Sequence, residues 1–171
     1  MGREVRKVPA DWQHPKREGF YSDGSPRYEA LFDGADFEER AAEWDADAAA
    51  WARGEFPSYA CEESRKLSYE EWNGSRPNPD DYMPNWPESE RTHYMMYETT
   101  SEGSPISPAF DTPEKLARWL ADNGASAFGS STASYESWLR VCNGGFAPSA
   151  VVVGGVMQSG VEALTDKDAV Q

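Results

Sequence analysis

The sequence predicts an α+β fold: a single domain of three to four short helices packed on a small, mostly antiparallel sheet. Three observations lead there. Segments whose apolar residues recur every three or four positions alternate with aromatic and β-branched runs. Gly, Pro and Asn-Gly pairs punctuate the two kinds of segment. Seven tryptophans and eight tyrosines among 171 residues supply enough apolar surface for a core, which a disordered acidic tail would lack.

Residues 1–27 read as an extended N-terminal arm, in which Val5, Val8 and Trp12 alternate with charged residues before Pro15, Gly19, Gly24 and Pro26. Residues 28–171 read as one acidic α+β domain. Its first helix is expected over about 36–53, because Phe37, Ala41, Trp44, Ala48 and Trp51 fall on one face. Asp36 with Glu39 makes a D-x-x-E capping pattern at its start, and Gly54 offers a stop. Ser68 and Glu71 form a second capping box, but Asn73-Gly74 and Pro77 limit that helix to one or two turns. Pro77, Pro79, Pro84 and Pro87 then impose an irregular, extended loop.

Thr92 to Thr100 reads as a strand and Ser101 to Ser104 as a turn. Ile106 to Phe110 reads as a returning strand, pushed to a sheet edge by Pro105 and Pro108. Thr112 caps a helix with Pro113 at its first position, an apolar face of Leu116, Trp119 and Leu120, and Asn123-Gly124 at its end. Ser134 to Val141 suggests a further short helix, closed by Asn143-Gly144-Gly145. Ala150 to Val153 reads as a buried strand, broken by Gly154-Gly155, with a strand or hairpin partner over 156–164.

The charge narrows the function classes. The formal net charge is −14, and residues 28–64 alone hold eleven acidic and two basic side chains. Phosphate binding draws on Lys and Arg, so nucleic acid is not expected as a direct partner, whereas a protein with a basic surface is. No apolar stretch approaches the roughly 18 residues that span a bilayer, and the basic N-terminus leads into no signal-like run, so a cytoplasmic location is expected. Cys61 and Cys142 stand in no zinc or redox spacing.

Catalytic signatures are missing. His14 and His93 are the two candidates for the commonest general base, and neither sits in a recognisable nucleophile, metalloprotease, Walker or dinucleotide motif. Asp45/Asp47, Asp80/Asp81 and Asp166/Asp168 could approach a divalent cation, but none continues into a calcium loop. The expectation is therefore a protein that is not an enzyme and needs no cofactor or metal. Glu38, Glu39, Glu43, Asp45 and Asp47 lie off the apolar stripe of the first helix. Carboxylates one turn apart are about 5 to 6 Å from one another, of the same order as successive phosphates along a strand, so this face could imitate a nucleic-acid backbone. Asp80, Asp81 and Trp86, in the Pro-rich loop, complete the candidate partner-binding set.

The arm GREVRKVPADWQHP and the blocks running from EEWNGSRPNPDDYMPNW through TPEKLARWLADNGASAFG to SYESWL resemble a family of small proteins encoded by tailed phages and prophages. The likeness spans most of the chain and is strongest from Trp72 to Leu139. It supplies no catalytic residues, and the zinc-ribbon Cys pairs of longer members are lacking here. What it implies is context: an accessory protein made in the host bacterial cytoplasm. The leading expectation is an inhibitor that engages the basic groove of a defence complex, such as a CRISPR effector or a restriction enzyme, through its acidic helix. The alternative is a phage structural or assembly protein that forms homo-oligomers or particle contacts through the 77–87 loop and the 106–110 edge strand. A carboxylate-based hydrolase is a third reading.

Overall fold

The computed structural model describes residues 2–22, 24–99, 103–153 and 155–163, and shows an α+β fold. Its contacts divide the chain into two compact units, one formed by Met1–Leu31 and Trp86–Gln171, the other by the inserted segment Phe32–Asn85. The boundaries of these units fall after residues 31 and 85.

In the first unit, β1 (Gly2–Val8) lies between β4 (His93–Glu98) and β6 (Phe146–Pro148), and β5 (Ser104–Pro105) flanks β4, giving an antiparallel sheet of order β5-β4-β1-β6. The segment read as an arm is therefore an inner strand over Gly2–Val8. Its charged residues conceal this, because Arg3 and Arg6 are buried with their charges matched in place. Arg3 pairs with Glu98 at 2.9 Å and donates through Nε to the Ser126 carbonyl at 2.8 Å. Arg6 pairs with Glu4, donates to the Leu31 carbonyl at 2.6 Å, and lies 4.6 Å from the centre of the Tyr97 ring.

Alternation along paired strands gives the sheet two apolar faces. Val5, Met96 and Ala147 face α3 (Pro113–Asp122) and α4 (Tyr135–Gly144), whose Leu116, Leu120, Trp138 and Val141 are fully buried. Both helices start as their sequences dictate: Thr112 Oγ1 accepts from the Lys115 N–H at 3.2 Å with Pro113 at the first position, and Ser134 accepts from the Ser137 N–H. On the other face lie Val8, Met95 and Tyr97, all buried, with the Tyr97 hydroxyl accepting from the Trp12 indole at 3.2 Å and the His14 ring 5.5 Å from the Tyr97 ring.

The returning strand departs from its expected bounds. β5 begins at Ser104, two residues before the expected Ile106, and pairs with Tyr97 and Glu98, and the chain meets β4 again where Tyr94 and Phe110 exchange both backbone bonds. Pro108 has no N–H to give, and the Ser107 hydroxyl accepts from Met96 N–H at 2.9 Å. Ser101 and Glu102 of the expected turn lie outside the described residues, as do Gly154, Leu164, Asp166 and Asp168. Two small ribbons complete this unit: β2 (Lys16–Phe20) with β3 (Pro26–Tyr28), and β7 (Ala150–Val153) with β8 (Val156–Ser159), the latter running into α5 (Gly160–Ala163). The 150–153 run is a strand as its β-branching suggests, but Val152 is 66% exposed, so conformation and burial part company there.

The second unit consists of α1 (Phe37–Ala52), α2 (Tyr69–Asn73) and three 3-10 turns at Gly34–Asp36, Ser64–Lys66 and Pro79–Asp81. Among the described residues no helix is long and apolar enough to cross a membrane.

Two outcomes follow for the first unit. Leu116→Ala leaves a cavity in the core between sheet and helices and should cost about 2 to 5 kcal/mol in denaturant unfolding. His14 Nε2 lies 2.8 Å from the Glu29 carbonyl, and burial lowers the pKa of its ring below the usual 6.5. The unfolded chain therefore takes up this proton first. The stabilisation is complete above about 6.5 and is lost as pH falls through the lower folded value. Melting temperature should drop between pH 7.5 and 5.5, and His14→Gln should flatten that slope.

Candidate functional site

The candidate site lies in the second unit and begins with how α1 is started. Asp33, and not Asp36, does the capping: its carboxylate accepts from Ala35 N–H at 3.0 Å and opens the 3-10 turn that leads into α1, whereas Asp36 makes no side-chain capping bond. Gly34 is required there, because a Cβ would overlap the Met83 carbonyl of the strand-like contact between Phe32 and Tyr82.

α2 is held by α1. The Ser68 capping box is fully formed, with Glu71 N–H donating to Ser68 Oγ at 3.2 Å and Ser68 N–H to the Glu71 carboxylate at 2.9 Å. The carbonyls flanking this short helix each receive an indole N–H from α1: Trp51 donates to Leu67 at 3.0 Å and Trp44 to Gly74 at 3.1 Å. Tyr69 and Trp72, one turn apart, thereby meet Trp44 and Trp51. Trp51 and Trp72 stack with centroids 4.4 Å apart, Tyr69 sits edge-on to Trp44 at 5.3 Å, and Tyr59 lies parallel to Trp72 at 6.0 Å.

These rings line a groove of about 740 Å³, whose acidic wall is Glu43, Asp47 and Glu55. Asp47 is fixed in place by the Tyr69 hydroxyl, which donates to it at 3.2 Å while accepting from the Asn73 amide at 2.9 Å. Burial, then the charge and hydrogen bond of Asp47, with smaller contributions from Tyr59 and Glu43, hold the Tyr69 phenol above its usual pKa of 10.0. Glu55 is engaged with Arg53 at 2.8 Å. Glu43 enters no ion pair among the described residues.

The eight residues singled out from sequence do not converge on one spot. Glu39, Glu43 and Asp47 form a ladder at i, i+4, i+8 along one flank of α1, and the last two of these reach the groove. Glu38 and Asp45, seven apart, share the other flank, where Arg76 clasps Asp45 through two bonds of 2.9 Å and holds its carboxyl below the usual range. Asp80 and Asp81 are exposed in the turn capped by Asn78 and do not line the groove. Trp86 belongs to the first unit, packed edge-on against Trp12 at 4.7 Å. Sequence reasoning assigned Trp44 and Trp51 to the core and passed over Tyr59, Tyr69 and Trp72. The available signal was the Y-x-x-W pair directly after a capping serine.

The first unit holds another cavity, of about 800 Å³, among Trp12, His14, Tyr28, Met95, Ile106 and Trp119. Both nitrogens of its histidine have partners, Nε2 the Glu29 carbonyl at 2.8 Å and Nδ1 the Tyr97 hydroxyl at 3.4 Å. The cysteines lie apart from both cavities. Cys61 is exposed beside Ser64, and burial pushes the Cys142 thiol up to about 12. Among the described residues no three His, Cys, Asp or Glu side chains are grouped to hold a metal ion.

Comparisons with protein-family models, with curated proteins and with solved structures give no match.

The tie between Asp47 and Tyr69 has a titration signature. Asp47→Asn removes the negative charge nearest the phenol, so the Tyr69 pKa should fall towards 10, read from the Tyr69 ring signals in an NMR pH titration.

Proposed function

We propose that the protein acts by binding the basic, nucleic-acid-engaging surface of another protein through the carboxylate face and groove of its second unit. The observation that carries this reading is a concentration of unneutralised charge. Phe32–Asn85 holds fourteen acidic and five basic side chains, most of the net −14 in under a third of the chain. Glu38, Glu39 and Glu43 are exposed on a rigid helix and enter none of the ion pairs among the described residues. Four of the five basic residues in positions 1–17 have acidic partners within the first unit, Glu98 for Arg3, Glu4 for Arg6, Glu88 for Lys7 and Glu29 for Arg17. A helix bearing carboxylates at one-turn spacing offers a basic groove the charge that a nucleic-acid strand would.

Joined to the resemblance to phage proteins, this becomes the inhibitor of a bacterial defence complex, a CRISPR effector or a restriction enzyme being the targets whose grooves carry the matching charge. A second reading, a phage assembly or homo-oligomerising protein, draws on a different observation: Val152, Val156 and Met157 of the β7–β8 ribbon are all more than half exposed.

Tagged protein incubated with host lysate should recover a nucleic-acid-binding protein whose capture is suppressed by added duplex DNA. Changing Glu38, Glu39 and Glu43 together to Lys should weaken that capture about tenfold or more while leaving the far-UV circular dichroism unchanged. Recovery of the chain itself or of particle proteins alone, with a concentration-dependent mass by light scattering, contradicts the inhibitor reading and favours assembly.

A further inference from the structure

We infer that the groove of the second unit is an arginine-reading site: it takes an arginine-rich segment of the partner, seating a guanidinium against Trp72 and Tyr59 with Glu43 and Asp47 as its acceptors. This deepens the proposed function and rests on it for the nature of the partner.

The argument starts from the rings. Arginines occupy aromatic faces repeatedly in this chain: Arg118 over Tyr135 at 3.8 Å and Arg6 over Tyr97 at 4.6 Å away from the groove, and at its border Arg65 over Phe56 at 5.5 Å and Arg40, itself a lining residue, over Phe32 at 5.7 Å. Trp44, Trp51, Tyr59, Tyr69 and Trp72 have no cation seated on any of them among the described residues. Indole is the strongest π partner for a cation, and the half-buried Trp44 and Trp72 border the groove, with Trp51 buried against Trp72. Tyr59 is 79% exposed and lies parallel to Trp72, so a flat group can reach this pair from solvent without rearranging the core.

The carboxylates select the sign of that group. Glu43 is exposed and borders the groove, and Asp47 is held in position by the Tyr69 hydroxyl on one oxygen, which leaves the other to accept. A planar guanidinium lies flat on an aromatic face while donating from its edge to a carboxylate. A tetrahedral ammonium reaches both only without a flat stack, as Lys7 does 5.9 Å from the Tyr94 ring centre while bonded to Glu88. The volume of about 740 Å³ exceeds one side chain and fits a short run of residues. A neutral apolar segment would bury Glu43 without a partner and Asp47 with only the Tyr69 hydroxyl, at a cost in desolvation.

The test compares fluorescently labelled hexa-arginine and hexa-lysine peptides of equal charge, by anisotropy with unlabelled protein and by tryptophan emission with unlabelled peptide. Hexa-arginine should bind about tenfold more tightly than hexa-lysine and should change the tryptophan emission. Tyr59→Ala and Glu43→Gln, both at exposed positions, should each weaken hexa-arginine several-fold. Glu38→Gln, which removes the same charge about 140° around α1, should weaken it less. Equal affinity for the two peptides, with Glu43→Gln and Glu38→Gln equivalent, overturns the arginine site while leaving the charge-based binding of the proposed function standing. Failure of both peptides to bind at low salt overturns both.

Discussion

The second unit depends on two indole N–H bonds. A five-residue helix has too few hydrogen bonds to offset its nucleation cost and does not persist alone. α2 persists because Trp51 and Trp44, two turns apart on α1, donate to the carbonyls of Leu67 and Gly74 at its two ends. Those bonds satisfy the polar edges of rings that are otherwise packed against aromatic neighbours, as a buried indole requires. They also fix the distance between the helices, and with it the spacing of the rings and carboxylates that form the groove. Structure and site are therefore not separable here: the residues that hold α2 in place are the residues that line the cavity.

Legibility from sequence followed the range of the interaction. The α1 stripe of Phe37, Ala41, Trp44, Ala48 and Trp51 could be read because its period is local, and the Ser68, Thr112 and Ser134 caps because a cap acts within three residues. β1 was hidden by Arg3 and Arg6, whose charges suggest solvent; Arg3 is neutralised by Glu98, which only the folded chain brings near, and Arg6 by Glu4 on its own strand, with the distant Leu31 carbonyl as a further acceptor. The Asp36 pattern failed for a related reason, since Asp33 opens the preceding turn and takes the capping role first. The groove could not be read from local pattern, because it arises when rings at positions 44 and 51 meet rings at 59, 69 and 72 across an extended connection. The division of the acidic set into two flanks, by contrast, was already in the spacing: steps of four join Glu39, Glu43 and Asp47, and a step of seven joins Glu38 to Asp45.

The two units use charge differently. In the first, arginines are structural: Arg3 and Arg6 are buried within the sheet layer, and their removal would strand backbone carbonyls and carboxylates that now have donors. In the second, carboxylates on α1 stand in solvent on a rigid element, which is the arrangement that steers a basic partner and is weakened by salt. Aromatic faces beside those charges add what charge alone does not, a preference for shape. A surface of carboxylates discriminates weakly between cationic partners, whereas planar rings next to fixed acceptors favour one cationic side chain over another.

The central claim is that binding is seated in the groove of the second unit, and it is most directly tested by the tryptophan indole N–H signals in an NMR titration with hexa-arginine. Each of the seven indoles gives its own resonance. The account predicts that Trp44, Trp51 and Trp72 shift together and saturably while Trp12, Trp86, Trp119 and Trp138 hold their positions. Shifts concentrated instead at Trp12 and Trp119, which line the cavity of the first unit, or small shifts spread evenly over all seven, would contradict it.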